Sequence, residues 1–260
     1  MTTKRKVNFW KVVKKVIKKA DIILLLLDAR FVEETRNKEL EHKIKSAKKP
    51  LIYVITKADL VSRESLENWK KILKPSVFVS SKKREGRRIL KQRIIIEGER
   101  HYGKKEKFVV GVLGYPNVGK SSLINYMKGK HSAPTSIISS YTKGMQLIKI
   151  DRRIYFIDTP GVIPYKENDE FKHAVTSVKD YTKIKNPDLV VIKIMRMFPG
   201  MIESYYNVPL EEDKEKTLEK IAFKKNFIRK GGEADIRRAA VSILKDYQTG
   251  KIKINRDNQG

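Results

Sequence analysis

Two stretches of the chain carry residue types that could do chemistry at a phosphate. Residues 114–122 read GYPNVGKSS, in which Gly114, Gly119, Lys120 and Ser121 have the spacing of a phosphate-binding loop lying between an apolar run and a helical pattern. Glycines let backbone N–H groups curl around phosphate oxygens. Lys120 can bring a point charge to the β- and γ-phosphates, Ser121 a hydroxyl to Mg²⁺, and the following helix its positive end. Asn117, Val118, Gly119, Lys120, Ser121 and Ser122 are therefore candidate nucleotide contacts. Downstream, Asp158-Thr159-Pro160-Gly161 ends another apolar run. A carboxylate there can hold Mg²⁺ through water, and the Gly161 N–H can meet the γ-phosphate, which makes Lys120 and Gly161 candidates for catalysis.

A third stretch, Thr56-Lys57-Ala58-Asp59, closes the apolar run LIYVI. A carboxylate at Asp59 can accept from both N1–H and the 2-amino group of guanine, a donor pair that adenine lacks, while the Lys57 stem can lie along the base. The same residues could instead form an ordinary strand-to-helix turn. Ser80, Ser81 and Lys82 close the next apolar run and could aim backbone N–H groups at the guanine O6. The four histidines, at 42, 101, 131 and 173, show no ligand spacing, and the absence of cysteine excludes disulfides, Cys-based zinc sites and thiol nucleophiles.

Apolar runs alternating with amphipathic stretches must position these residues. The pattern predicts a helix over 9–20, strands at 22–27 and 51–56, a helix over 31–47, and another from Ser62 to Lys74 that stops before Pro75. A strand at SVFVSS, a helix over 85–100, the strand leading into the phosphate loop, its helix to about 129, and strands at 145–151 and 153–158 complete the alternation. Such an order implies an α/β fold with a mostly parallel sheet. Beyond Gly161 only helices are predicted: 169–185, a stretch from Pro187 through Met197, 211–228 and 233–247. The domain division expected is 1–185 for the nucleotide-binding part and 186–260 for a small helical part.

A formal net charge of +28 over 260 residues is the dominant feature of composition. Residues 1–20 hold eight Lys/Arg and no acid, residues 82–107 eleven and four, and residues 211–260 thirteen and nine. A Lys-rich solvated surface of the heat-adapted kind is one explanation; a polyanionic partner such as RNA is the one that the clustering favours. No apolar run approaches the length that spans a bilayer, and MTTKRKVNFWKVVKK lacks the apolar core of a secretory signal. A cytoplasmic protein with no membrane partner is expected.

Together TKAD, SSK, GYPNVGKS and DTPG resemble the fourth, fifth, first and third motifs of the circularly permuted GTPases of ribosome assembly, in particular the YlqF/YawG type. The likeness extends to Asp28-Ala29-Arg30 and to GGEADIRRAAVSILKDYQTGK near the C-terminus, and so covers nearly the whole chain. It implies a P-loop GTPase fold whose sheet is circularly permuted, GTP and GDP as ligands, and slow hydrolysis to GDP and phosphate. It places Thr142 where the family has its switch threonine, a further Mg²⁺ ligand beside Ser121 and Asp158 and a catalytic residue, although Ser139-Ser140 stand where Pro-Gly is usual. A PNVGKS loop with an apolar residue after DTPG is similar to GTPases that use K⁺, which puts K⁺ at Asn117.

Three departures refine the expectation. Thr56 stands where asparagine is commoner. VNFWKVV replaces the GHM of bacterial members, so no N-terminal histidine is carried over. Val162 stands where Ras-like enzymes have a water-orienting glutamine. With neither zinc modules nor an added β-barrel, the resemblance implies rRNA and the large ribosomal subunit or its precursor as partner, and a monomer. A GTP-dependent RNA-binding module with incidental hydrolysis, favoured by Val162, and an ATPase on the same loop, opposed by Asp59, are the alternatives.

Overall fold

In a computed structural model of the chain, residues 3–128, 146–158, 170–177 and 179–252 are described. Thr142, Gly161 and Val162 lie outside them. Helix α1 (Thr3–Lys19) leads into β1 (Ile22–Asp28), and α2 (Val32–Thr35) and α3 (Lys38–Ser46) precede β2 (Leu51–Thr56). Helix α4 (Arg63–Ile72), β3 (Ser76–Val79), α5 (Arg87–Tyr102), β4 (Phe108–Gly114) and α6 (Lys120–Lys128) follow, then the antiparallel hairpin of β5 (Gln146–Lys149) and β6 (Ile154–Asp158). The six strands form one sheet in the order β3-β2-β1-β4-β6-β5, parallel except for β5. The expected α/β, mostly parallel sheet is thus present.

The sheet is covered on both faces. All seven residues of β1 are buried, which a strand in the middle of a two-sided sheet requires. On β4, a Cβ at Gly111 would lie 2.7 Å from Val16 and 3.2 Å from Ala20 of α1, while a Cβ at Gly98 of α5 would lie 2.7 Å from the Phe108 ring. Residues 108 and 111 point to opposite faces of a strand, so α1 and α5 lie on opposite sides of β4. Helix α1 seats Val13, Val16, Ile17 and Ala20 and exposes Lys11, Lys14, Lys15 and Lys18, as its spacing predicts.

Two expected helices are shorter than their patterns. The stretch 31–47 breaks between α2 and α3, because Arg36 is extended and Asn37 caps a new start, its side chain accepting from the Leu40 N–H at 2.8 Å. The stretch 169–185 is helical only over α7 (Glu170–Val175); Ser177 turns left-handed, and a 3₁₀ turn at Tyr181–Lys183 follows under an Asp180 cap. Helix α8 (Pro187–Met197) has proline in its first turn as expected. Helix α9 (Met201–Tyr206), which periodicity did not reveal, sits between left-handed residues Gly200 and Asn207. Asp213 and Asp235 cap α10 (Lys214–Lys224) and α11 (Ile236–Gln248), trimming the expected 211–228 and 233–247.

The chain divides into two compact units, Met1–Asp59 with Arg63–Glu167 and Leu60–Ser62 with Asn168–Gly260. By packing, the two units meet in the chain at 167/168. The reason is visible in α7: the Tyr247 hydroxyl donates to the Val175 carbonyl at 3.0 Å and the Gln248 amide to that of Ala174, so α7 is fastened to α11. The second unit is built on α8, α10 and α11 around Ile194, Leu218, Ile221 and Ile243. Among the described residues no helix is long and apolar enough to cross a membrane.

The close seating of α1 generates a stability prediction. In Gly111→Val the added methyls meet Val16 and Ala20 with no room to move, and the protein should lose about 1–3 kcal/mol. Urea denaturation of the two proteins measures this; an unchanged midpoint would mean that α1 does not rest on β4.

Candidate functional site

Every parallel strand ends at the same edge of the sheet, which is where open α/β sheets bind ligands. That edge gathers Asp28 from β1, Thr56 from β2, Ser80 after β3, Gly114 from β4 and Asp158 from β6. Residues far apart in the chain meet there.

The β2 terminus is bonded directly to the phosphate loop. The Thr56 hydroxyl donates to the Val118 carbonyl at 2.5 Å, with the Leu27 carbonyl a second acceptor at 2.9 Å. Threonine thereby ties β2 to the loop with one hydroxyl. Lys57, in a left-handed conformation, donates to the Asn117 carbonyl at 3.0 Å and to Asp28 Oδ2 at 2.6 Å. Asp28 also accepts from the Arg30 guanidinium at 2.8 and 3.0 Å and is itself buried. Burial alone would raise the Asp28 pKa, but the hydrogen bonds and charges of Arg30 and Lys57 outweigh it and hold the carboxyl below its ordinary value. Burial lowers the Lys57 pKa despite the opposing pull of Asp28.

Asp59 is oriented from β3. The Ser80 hydroxyl donates to Asp59 Oδ1 at 2.6 Å and accepts from the Lys83 N–H at 2.9 Å. Ser81 and Lys82 lie in the turn that follows, closed by the Ser80–Glu85 bridge. The β2 and β3 termini therefore present one carboxylate, held by Ser80 and adjoining in sequence the Thr56 and Lys57 that are bonded to the loop.

In the loop itself Asn117 has φ 60°, a left-handed conformation that asparagine tolerates better than most residues. The Lys120 ammonium donates to the Gly114 and Tyr115 carbonyls at 2.9 and 2.7 Å, closing the loop on itself. Burial lowers its pKa to about 8. Ser121 and Ser122 are exposed at the start of α6, and Asp158 ends β6. Among the described residues no group of His, Cys, Asp and Glu could hold a metal alone. Sequence reasoning gave Asp28 no role of its own; the signal was an acid ending a strand otherwise wholly apolar, IILLLLD.

The chain is similar to known GTPases. Residues 3–166 match the sequence model of the RsgA GTPase family, and residues 109–228 that of the 50S ribosome-binding GTPases. An uncharacterized GTP-binding protein of Methanocaldococcus jannaschii is 43% identical over 253 residues, 95% of this chain and 67% of that protein. Nucleolar GTP-binding protein 2 of Neurospora crassa is 33% identical over 94% of this chain and 41% of its own length. The chain thus spans about half or less of the length of eukaryotic relatives that it matches. In fold it is similar to YlqF of T. maritima, with a TM-score of 0.62 to the GNP-bound and 0.64 to the GDP-bound structure at 20% identity, the alignments covering 94% or more of each chain.

The Lys120 pKa predicts a pH dependence. Phosphates on Lys120 favour its charged form, so above about pH 8 binding must take up a proton. GDP affinity should be flat below that pH as far as this group is concerned. Above it, affinity should fall towards tenfold per pH unit. Titration of a fluorescent GDP between about pH 7.5 and 9 tests this. Lys120→Met should bind more weakly and lose the slope; a slope that survives in Lys120→Met would assign it to another group.

Proposed function

The chain belongs to the RsgA GTPase family of circularly permuted GTPases, and we propose that it binds GTP and GDP at the strand edge described above and hydrolyses GTP slowly while assisting assembly of the large ribosomal subunit. The observation that carries the reading is that Asp59, held by Ser80, follows directly on the Thr56 and Lys57 that are both bonded to the phosphate loop. Base reader and phosphate cradle are thereby fixed at one spacing, as a single guanine nucleotide requires.

In this reading Asp59 accepts from N1–H and the 2-amino group of guanine, the Lys57 stem flanks the base, and the turn of Ser80, Ser81 and Lys82 faces O6. Asn117, Val118, Gly119, Lys120, Ser121 and Ser122 surround the phosphates. Lys120 gives up its contacts with the Gly114 and Tyr115 carbonyls for the β- and γ-phosphate oxygens, where its charge offsets the negative charge that develops at transfer. Bound Mg²⁺, held by Ser121, Thr142 and, through water, Asp158, supplies further neutralisation of the phosphates. Thr142 and Gly161 sense the γ-phosphate, and Asn117 supports K⁺. The partner is rRNA in the large subunit or its precursor, which the 50S ribosome-binding description of one matched family and the net charge of +28 support. The protein acts as a cytoplasmic monomer.

Base recognition is tested by competition. GTP and GDP should displace a fluorescent GDP, and ATP should bind about 10⁴-fold more weakly, because a site of oriented polar groups rejects a base that leaves them unpaired. Asp59→Asn should turn the preference towards xanthine nucleotides. ATP competing on equal terms would remove guanine recognition from Asp59.

Hydrolysis is tested by exchanging salts. With KCl in place of NaCl at equal ionic strength the rate should rise, and Asn117→Ala should abolish the difference. Equal rates in the two salts would leave the missing catalytic group to the ribosomal partner.

A further inference from the structure

Beside the loop that follows β3, Arg84, Gly86, Arg87, Arg88 and Lys91 line a cavity of about 480 Å³ with Tyr126 of α6, and among the described residues no acid lines it. Tyr126 is half-buried, whereas Arg84 and Arg88 are exposed and make no salt bridge among the described residues. Lys91 pairs with Asp151, which also feels the charge of Arg87, so these two cations are partly neutralised. The cations are presented rigidly. Ser80 and Glu85 exchange backbone hydrogen bonds of 2.9 and 3.3 Å across the loop that carries Arg84. Gly86 then makes the turn into α5 at φ 86°, where a Cβ would come within 2.2 Å of the Phe78 carbonyl oxygen.

Three arginines and a lysine around one phenol ring form a seat for a phosphate with a stacking surface beside it. Arginines grip phosphate oxygens in pairs, and an aromatic ring accepts the face of any base. The volume suits one nucleotide. A duplex buries its base faces in the helix, so a seat that joins phosphate and ring selects an unpaired strand. Resting on the reading that the partner is RNA, we propose that this cavity between α5 and α6 holds an unpaired nucleotide of an RNA strand, its phosphate on Arg84, Arg87 and Arg88 and its base on Tyr126.

The walls of this seat continue the nucleotide motifs. Arg84 lies in the loop that starts at Ser80, the residue that holds Asp59, and Tyr126 on the helix that starts at Lys120. RNA on the seat is therefore in contact with segments that a guanine nucleotide also touches.

The test uses the full chain, a fluorescein-labelled oligouridylate, a duplex of equal length, and 4-thiouridine RNA for crosslinking. Arg84→Gln with Arg88→Gln should weaken oligouridylate binding at least tenfold. The same pair should reduce the slope of log affinity against log salt by about 1.4, the value for two phosphate contacts on a single strand. Tyr126→Leu should cost about 5- to 100-fold and Tyr126→Phe little, which separates stacking from a hydroxyl contact. Melting temperature and GDP affinity should be unchanged in all three, showing that they fold. Crosslinked peptides should come from α5 and α6. If oligouridylate binds with full salt dependence in every variant but responds to neutralising Lys14, Lys15 and Lys18, the RNA reading stands and this seat is wrong. Tighter binding of the duplex, or a free mononucleotide displacing the oligomer at equal concentration, also overturns the proposal. No binding of any RNA overturns both readings.

Discussion

A buried carboxylate needs cationic partners, and Asp28 takes its partners from two places. Arg30, two residues on, wraps back onto it, and Lys57 reaches it from the neighbouring strand. An isolated charge at that depth would cost several kcal/mol, so the pair on β1 and β2 is compulsory once Asp28 is buried. Because Lys57 also donates to the Asn117 carbonyl, the neutralisation of Asp28 fixes the height of the phosphate loop above the sheet. Thr56 fixes it a second time through Val118. The base-reading and phosphate-holding segments are thus joined by two independent contacts that share no donor.

This bonding explains why the order of motifs along the chain matters so little to the pocket. The base-reading strands come first in sequence and the phosphate loop later, with about 60 residues between Thr56 or Lys57 and their loop partners. In the sheet, however, β2 and β4 both flank β1. A parallel sheet brings strand ends to one edge whatever order the strands follow, so a permuted chain and an unpermuted one can close the same site. What permutation changes is which segments adjoin the site covalently. Here the third motif leads towards the helical unit, and the base-reading half is joined to a basic helix with exposed lysines.

Charge follows the same division of labour. The acids of the nucleotide unit are mostly committed: Asp28 to Lys57 and Arg30, Glu41 to Arg36 and Tyr53, Asp21 to Lys105, Glu97 to Arg93 and Arg100. Among the described residues, Lys11, Lys14, Lys15 and Lys18 of α1 and Arg84 and Arg88 around the start of α5 make no salt bridge. Excess positive charge of this kind does not stabilise the fold and self-repels, which is a reason to expect a polyanion to meet it.

Much of this was legible in the sequence because the physics is local. A phosphate loop is defined by glycines, a lysine and a serine at fixed spacing, and an apolar run of six residues between charges suits a strand buried on both faces. The same holds for the amphipathic face of α1 and the proline that opens α8. What the sequence could not determine depends on distant partners. The new start capped by Asn37 and the left-handed Ser177 interrupt stretches whose apolar periodicity runs on, since a side-chain cap or a left-handed residue outweighs a pattern worth only tenths of a kcal/mol per residue. Residues 168–185 join the helical unit because Tyr247 and Gln248 bond to α7 across about 70 residues. Asp28 reads as the end of a strand, and only the pairing of β1 with β2 makes it the anchor of Lys57. Spacing set the chemistry of each motif; the sheet decided which motifs touch, because burial forces a charge to find whatever partner the fold brings within reach.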